Sequence, residues 1–168
     1  EADRIRARYP KIPRRVSGYN LDDLLPENGF DIARALVGTE STCVVILEAT
    51  LRLVYSPPGR SLLVLGYPDV YSAGDHVPDI LKFNPIGLEG MDDRLIADMK
   101  AIGLHPEDVQ LLPEGDGWLL VEFGGKDKAE SDAHATACMD ALKQTGNAPA
   151  MKLFDDPKEE KMIWKVRE

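Results

Sequence analysis

Cysteine is scarce: Cys43 and Cys138 are the two thiols in 168 residues, and neither has a CxxC neighbour. That usage excludes a disulfide framework and an iron–sulfur or zinc-knuckle site built within this chain. A reducing, cytoplasmic setting is the expectation. No apolar run approaches the length of about 18 residues that a helix needs to cross a bilayer. The three histidines, His76, His105 and His134, show neither HxH nor HxxxH spacing, so no histidine metal site is expected. GxGxxG, GxxxxGK[ST] and GxSxG do not occur, which removes a Rossmann fingerprint, a P-loop and a nucleophile elbow. Positive charge is in deficit. The net charge of −9 argues against a nucleic-acid or anionic-membrane role for the surface as a whole.

What is present suits a folded, water-facing protein. Hydrophobic residues make up 43% and charged residues 29%, close to a globular average. A chain of this length buries roughly 70% of its unfolded surface, enough for a core without staples. It is sized for one ordinary domain or two small ones. It starts at Glu1 without an initiator Met and stops at Glu168 inside a helical pattern. It is therefore expected to be part of a longer polypeptide.

The first fifteen residues are basic, with six cations against Glu1 and Asp3. Pro10 and Pro13 prevent a helix running through this stretch. The segment reads either as an arm that holds a phosphate or carboxylate, or as a solvated connector. Ser17-Gly18-Tyr19-Asn20 reads as a turn. A short helix is expected over 30–37, with Phe30, Ala33 and Val37 on one face and Gly38 as its terminator. Thr39-Glu40-Ser41-Thr42 is a tight polar connector. Residues 43–54, CVVILEATLRLV, open as a continuous apolar run. They then alternate, with Leu47, Ala49, Leu51 and Leu53 opposite Glu48, Thr50 and Arg52. That pattern predicts a long strand. Ser56-Pro57-Pro58-Gly59 ends it and marks the best boundary in the chain.

Beyond the boundary the elements repeat. Strands are predicted at 61–67, 85–89, 118–123 and 148–154, with helices at 69–83, 92–102, 126–145 and from 157. Pro78 weakens or kinks the first of these helices, and 104–117 reads as a loop. The strand–helix–strand order, given twice, predicts an α+β fold. Its form is the split βαβ sandwich called ferredoxin-like, an antiparallel sheet with helices on one face.

Most chemistry-bearing residues read as structural. Cys43 and Cys138 suit small buried hydrophobes better than reactive thiolates. Ser17, Ser41 and Ser61 have no nucleophile context. Gly124-Gly125 follows a strand and opens a helix, so it is either an anion cradle or a plain turn. Two places stand above this background. The turn Gly38-Thr39-Glu40-Ser41-Thr42 offers backbone donors and side-chain oxygens that suit a cofactor. Arg167, close to Trp164 near the chain end, has the guanidinium that binds a planar carboxylate bidentately, though an exposed helix charge is the simpler reading.

Three stretches carry a resemblance: Ser17-Gly18-Tyr19-Asn20-Leu21, then Leu36 through Val45 (LVGTESTCVV), then Glu48-Ala49-Thr50-Leu51-Arg52-Leu53 with Pro57-Pro58. They resemble the FAD-linked oxidases of the vanillyl-alcohol-oxidase type. The branch is that of glycolate oxidase, D-lactate dehydrogenase and D-2-hydroxyglutarate dehydrogenase. Gly87-Leu88-Glu89-Gly90-Met91-Asp92 and Ile163-Trp164-Lys165-Val166-Arg167-Glu168 resemble later landmarks of the same family. The wording KIPRRVSGYNLDDLLPENG is similar to members fused to an iron–sulfur domain.

The resemblance implies an assignment. Residues 1–58 would be the C-terminal part of a PCMH-type FAD-binding domain, and 59–168 the first part of the substrate-side cap domain. The FAD contacts would come from Ser17, Gly18, Tyr19, Gly38, Thr39, Glu40, Ser41, Thr42, Val44 and Val45. Arg167 would hold the carboxylate of a 2-hydroxy acid, whose hydride passes to flavin. The family's glycine after Glu40 is Ser41 here, and its later glycine is Val44. The glycine-rich half of the flavin site and the catalytic base would lie outside the chain. A fragment of this extent is expected to hold FAD weakly, to be inactive alone and to dimerise through uncovered faces. The partners implied are a small 2-hydroxy acid and an iron–sulfur electron acceptor of the same parent. A reading of a different class is a ferredoxin-like ligand-binding or protein-interaction module without catalysis.

Overall fold

A computed structural model describes residues 1–12, 15, 18–104 and 106–167. Pro13, Arg14, Val16, Ser17, His105 and Glu168 lie outside the described residues, and with them the expectations for Ser17 and His105. The chain forms two compact units, Glu1–Val54 and Tyr55–Glu168.

In the second unit, four strands form one antiparallel sheet: β1 (Gly59–Tyr67), β2 (Gly87–Asp92), β3 (Gly117–Gly125) and β4 (Ala150–Phe154), in the order β2-β3-β1-β4. Helix α3 (Val70–Ile80) links β1 to β2, and α6 (Lys128–Lys143) links β3 to β4. This is the expected split βαβ order. The register sets Leu63 opposite Val121 and Leu65 opposite Leu119, and on the other side of β1 it sets Leu62 opposite Phe154.

Side chains alternate between two cores. Leu63, Leu65, Tyr67, Leu119, Val121 and Phe123 pack with Ala73 and Ile80 of α3 and with Ala135, Cys138 and Leu142 of α6. Helices were expected on one face alone, yet on the opposite face Leu62, Val64, Met91, Trp118, Leu120 and Phe154 are covered too. Their cover comes from α4 (Asp93–Ala101), α5 (Pro106–Val109) and α7 (Pro157–Arg167), through Ile96, Met99, Val109, Ile163 and Val166. Cover on both faces explains why Leu62–Leu65 is an unbroken apolar run rather than an alternating one. The one-turn α5 lies inside the predicted loop.

Helix starts follow a single device. Asp69, Asp92 and Asp127 are N-caps whose carboxylates accept the backbone N–H of Ser72, Leu95 and Glu130. Each such cap is worth about 1 kcal/mol. β2 begins and ends later than predicted, because Met91 is the residue that reaches the core and Asp92 must stay extended to cap α4.

The first unit holds two short helices, α1 (Ala2–Arg8) and α2 (Ile32–Leu36). α1 forms because Pro10 lies beyond its last turn, so the helix stops at Tyr9 instead of being prevented. The predicted strand at 43–54 is a correction: residues 44–57 join no ladder. Val45, Leu47 and Leu53 are 83%, 94% and 89% exposed, so nothing in the described residues covers them. Alternation shows that a segment suits a strand, but a strand exists only where another backbone takes its hydrogen bonds.

Candidate functional site

Two sequence-distant segments of the first unit meet at the polar turn. The Gly18 N–H donates to the Gly38 carbonyl at 3.2 Å. The Tyr19 hydroxyl donates to Thr42 Oγ1 at 2.8 Å, while the Thr42 hydroxyl donates to the Thr39 carbonyl at 2.6 Å. Asn20 Nδ2 donates to the Val37 carbonyl at 2.8 Å. Tyr9 locks the arrangement from outside: its hydroxyl donates to the Tyr19 carbonyl and accepts the Leu21 N–H at 2.9 Å.

The turn itself is sharply bent. Gly38 has φ +85°, and Glu40 and Ser41 follow at +50° and +61°. Thr42 N–H closes the turn on the Thr39 carbonyl at 3.0 Å. Left-handed φ at consecutive non-glycine residues is costly, and Ser41 meets it where the resembled family carries glycine. Thr39 is buried, and its hydroxyl donates to the Leu36 carbonyl at 2.9 Å. The N–H groups of Glu40, Ser41, Val44 and Val45 donate to no acceptor among the described residues. A bend that leaves free backbone donors suits the polar edge of a flavin nucleotide, so these residues fit FAD along one side. Val44 and Val45 continue away from the turn with their side chains in solvent.

Among the described residues, three of the basic arm's six cations are paired with carboxylates. Arg6 makes a two-pronged pair with Glu27, at 2.5 and 3.1 Å, and also meets Asp3. The Arg6 hydrogen bond holds Glu27 down at about 2. Arg15 sits 2.9 Å from Asp22, lowering that carboxyl, and lies over the Tyr9 ring. Arg4 pairs with Glu1. Pairing of these cations with carboxylates of the same unit favours the connector reading.

Arg167 closes the second unit. Ile163 and Val166 anchor α7 in the core, leaving Arg167 half-exposed at the helix end. Its Nη2 lies 3.2 Å from the Glu89 carboxylate on β2. The two later landmarks of the sequence, 78 residues apart, therefore meet. A separate cleft of about 570 Å³ is lined by Tyr67, Ser72, Glu114, Asp116 and Asn147. With two carboxylates and no cation in its lining, it is poorly matched to an acidic substrate.

Other candidates resolve into structure. His76 Nδ1 and His134 Nδ1 lie 2.9 and 3.0 Å from the carbonyls of Ser72 and Gly124. No metal-holding cluster occurs among the described residues. Gly124 and Gly125 are glycines because of crowding: a Cβ would fall 2.6 Å from Pro57 Cγ and 2.6 Å from Ser131 N. Cys138 is buried as expected, whereas Cys43 is exposed, a correction that follows from the unpaired segment it begins. A polar node inside the second unit escaped sequence reading. The Ser61 hydroxyl meets Ser131 and Asp132, and Lys128 Nζ reaches Ser61, Asp132 and Glu160. Only the i,i+4 spacing of Lys128 and Asp132 hinted at it. No helix among the described residues is long and apolar enough to cross a membrane.

Known proteins bear on these residues. The chain is 29% identical over 135 residues to D-2-hydroxyglutarate dehydrogenase of Haemophilus influenzae, a stretch covering 76% of this chain and 13% of that protein. It is 31% identical over 152 residues to the glycolate oxidase subunit GlcD of Escherichia coli, covering 86% and 28%. With the D-lactate dehydrogenase of Archaeoglobus fulgidus it shares 28% over 116 residues, covering 68% and 26%. The chain thus spans less than a third of the length of each of these relatives. Residues 56–168 match the family of FAD linked oxidases, C-terminal domain. That match takes in the whole sheet, both cores and Arg167, and by it the chain belongs to the FAD-linked oxidases.

Proposed function

We propose that these 168 residues work as part of a longer, FAD-dependent oxidoreductase that oxidises a small 2-hydroxy acid. Residues 1–58 then complete a flavin-binding domain and 59–168 begin the substrate-side domain. The observation that carries the reading is the hydrogen-bonded meeting of Gly18–Asn20 with Val37–Thr42, which leaves backbone donors free along one bend. Ser17, Gly18, Tyr19, Gly38, Thr39, Glu40, Ser41, Thr42, Val44 and Val45 are the residues assigned to the FAD side. Bound flavin supplies the hydride acceptor, and the protein's share is orientation. Arg167 is assigned to the substrate carboxylate. Its present partner Glu89 is itself a carboxylate, reached through a single contact at 3.2 Å, which supports a guanidinium placed to take a carboxylate.

Several finer points belong to the same reading: a cytoplasmic setting, an iron–sulfur electron acceptor in the parent chain and weak FAD retention by these residues alone. Weak retention is supported by the open, one-sided character of the turn. The test is direct. The parent flavoprotein, purified whole, is titrated with D-lactate, glycolate and D-2-hydroxyglutarate under anaerobic conditions. Bleaching of the flavin band by one of them is the expected result. A colourless parent that takes up no FAD would leave the ligand-binding or interaction module as the better reading. Arg167→Lys in the parent is expected to raise KM for the acid about 10-fold or more, since a point charge replaces a fork.

A further inference from the structure

Helices α6 and α7 cover opposite faces of the sheet, and Lys128 of α6 joins them past the sheet's end. We infer that Lys128 is a positioning residue for Arg167: it fixes the start of α7 and, through that helix, sets where the guanidinium points. The inference rests on the assignment of Arg167 to the substrate carboxylate. The Lys128 ammonium stands 3.4 Å from the Phe154 carbonyl, where β4 ends, and 3.2 Å from Glu160 in the first turn of α7. It therefore holds both sides of the tight connection through Asp155 and Asp156. It also reaches the Arg60 carbonyl and Ser61 Oγ of β1, each at 3.1 Å, and Asp132 on its own helix at 3.1 Å. One ammonium thus ties β1, β4, α6 and α7 together.

A fully exposed ion pair would carry little of this, but here the Glu160 side chain is 16% exposed and that of Lys128 39%. Burial pushes the Glu160 carboxyl above its ordinary range, and the Lys128 ammonium opposes that shift. A charge-assisted hydrogen bond at such a site is directional. The apolar contacts of α7 are not. Ile163 and Val166 are buried and decide which side of the helix meets the sheet, but apolar burial is non-directional and leaves small slides and tilts unopposed. The bond at the first turn opposes both. Glu160 and Arg167 lie two turns apart on one side of α7, about 10 Å along its axis. There Arg167 meets Glu89 on β2, the sheet edge opposite β4. A tilt at Glu160 is therefore carried across the sheet to the guanidinium. Misplacing a reacting geometry by about 1 Å can cost about 100-fold.

The experiment is a double-mutant cycle in the parent flavoprotein, read as KM and kcat for the acid that bleaches its flavin. Lys128→Met is expected to raise KM about 5-fold with kcat changed less than about 2-fold, because a mispointed clamp weakens ground state and transition state alike. Lys143→Met, which removes an exposed pair with Asp140 on the same helix, is expected to leave both unchanged. Arg167→Met is expected to raise KM, and Lys128→Met added to it to raise it no further, since nothing remains to be positioned. A rise of the same size in the absence of Arg167 overturns the inference. So does an unchanged KM in Lys128→Met beside a raised one in Arg167→Met. Both results leave the Arg167 assignment standing. An unchanged KM in Arg167→Met overturns that assignment and the inference with it. Glu160→Gln is a milder second variant, expected to raise KM about 2-fold with the same dependence on Arg167. Hydrogen exchange in the 168-residue chain gives a reading free of substrate. In Lys128→Met the α7 amides are expected to exchange about 10-fold faster while those of α4 are unchanged. Equal acceleration in both helices, or none in α7, counts against the inference.

Discussion

Arg167 at the end of α7 holds Glu89 of β2 at 3.2 Å. The pair ties the last helix to an edge strand, and it places a carboxylate on the guanidinium assigned to substrate. Both side chains are close to half exposed, so solvent screens the attraction. Glu89→Gln is therefore expected to change stability by less than about 1 kcal/mol, read by urea denaturation with Trp118 and Trp164 fluorescence. A loss several times larger would show that the pair holds α7 in place.

The left-handed Ser41 invites a reversal. Ser41→Gly removes a Cβ from φ +61° and is expected to stabilise the turn by about 0.5–1 kcal/mol after the added chain entropy of glycine. The local readout is hydrogen exchange at the Thr42 amide, which should slow about 3-fold. Faster exchange would mean that the serine stabilises the bend.

Tyr67 is buried, and its hydroxyl is the one buried side-chain polar atom without a partner among the described residues. Burial pushes its ionisation upward. A buried hydroxyl left unpaired costs about 1–3 kcal/mol. Tyr67→Phe should therefore raise the stability of the second unit by about 1 kcal/mol, seen as a higher urea midpoint with unchanged slope. A lower midpoint would reveal a hydrogen bond, for instance to an internal water.

Gly66 leaves no room for a side chain. A Cβ there would stand 2.1 Å from the Glu114 carbonyl oxygen, a backbone atom that cannot swing away. Gly66→Ala is expected to cost about 3 kcal/mol. Wild-type stability in this variant would mean that the loop at 113–116 yields freely.

The two thiols differ in kind. Cys43 is exposed and Cys138 buried, so an aromatic disulfide reagent should titrate one thiol in the native chain and two in denaturant. Burial pushes the Cys138 thiol up to about 11, against 9.0 without it. The unfolded thiol therefore ionises first as pH rises. The contribution is intact below pH 9 and is lost progressively as pH climbs towards 11, through unfolded-state ionisation. Cys138→Ala should remove this part of the alkaline loss of stability.

Much of the fold is legible in the chain because its determinants are local. The apolar runs at 61–67 and 118–123, the helical stretches at 92–102 and 126–145 and the boundary at 56–59 each announce an element from neighbouring residues. The motif stretches around Tyr19 and Thr39 point to a flavoprotein for the same reason. Their order along the chain is enough to suggest the family.

Other features were settled in space. Whether residues 43–54 form a strand depends on a second backbone, which alternation cannot supply. Cover on both sheet faces, the node joining Ser61 to Asp132 and the meeting of Glu89 with Arg167 all join residues far apart in sequence. Periodicity records which side of an element is apolar. It does not record what will lie against that side, because that depends on how distant elements close on one another.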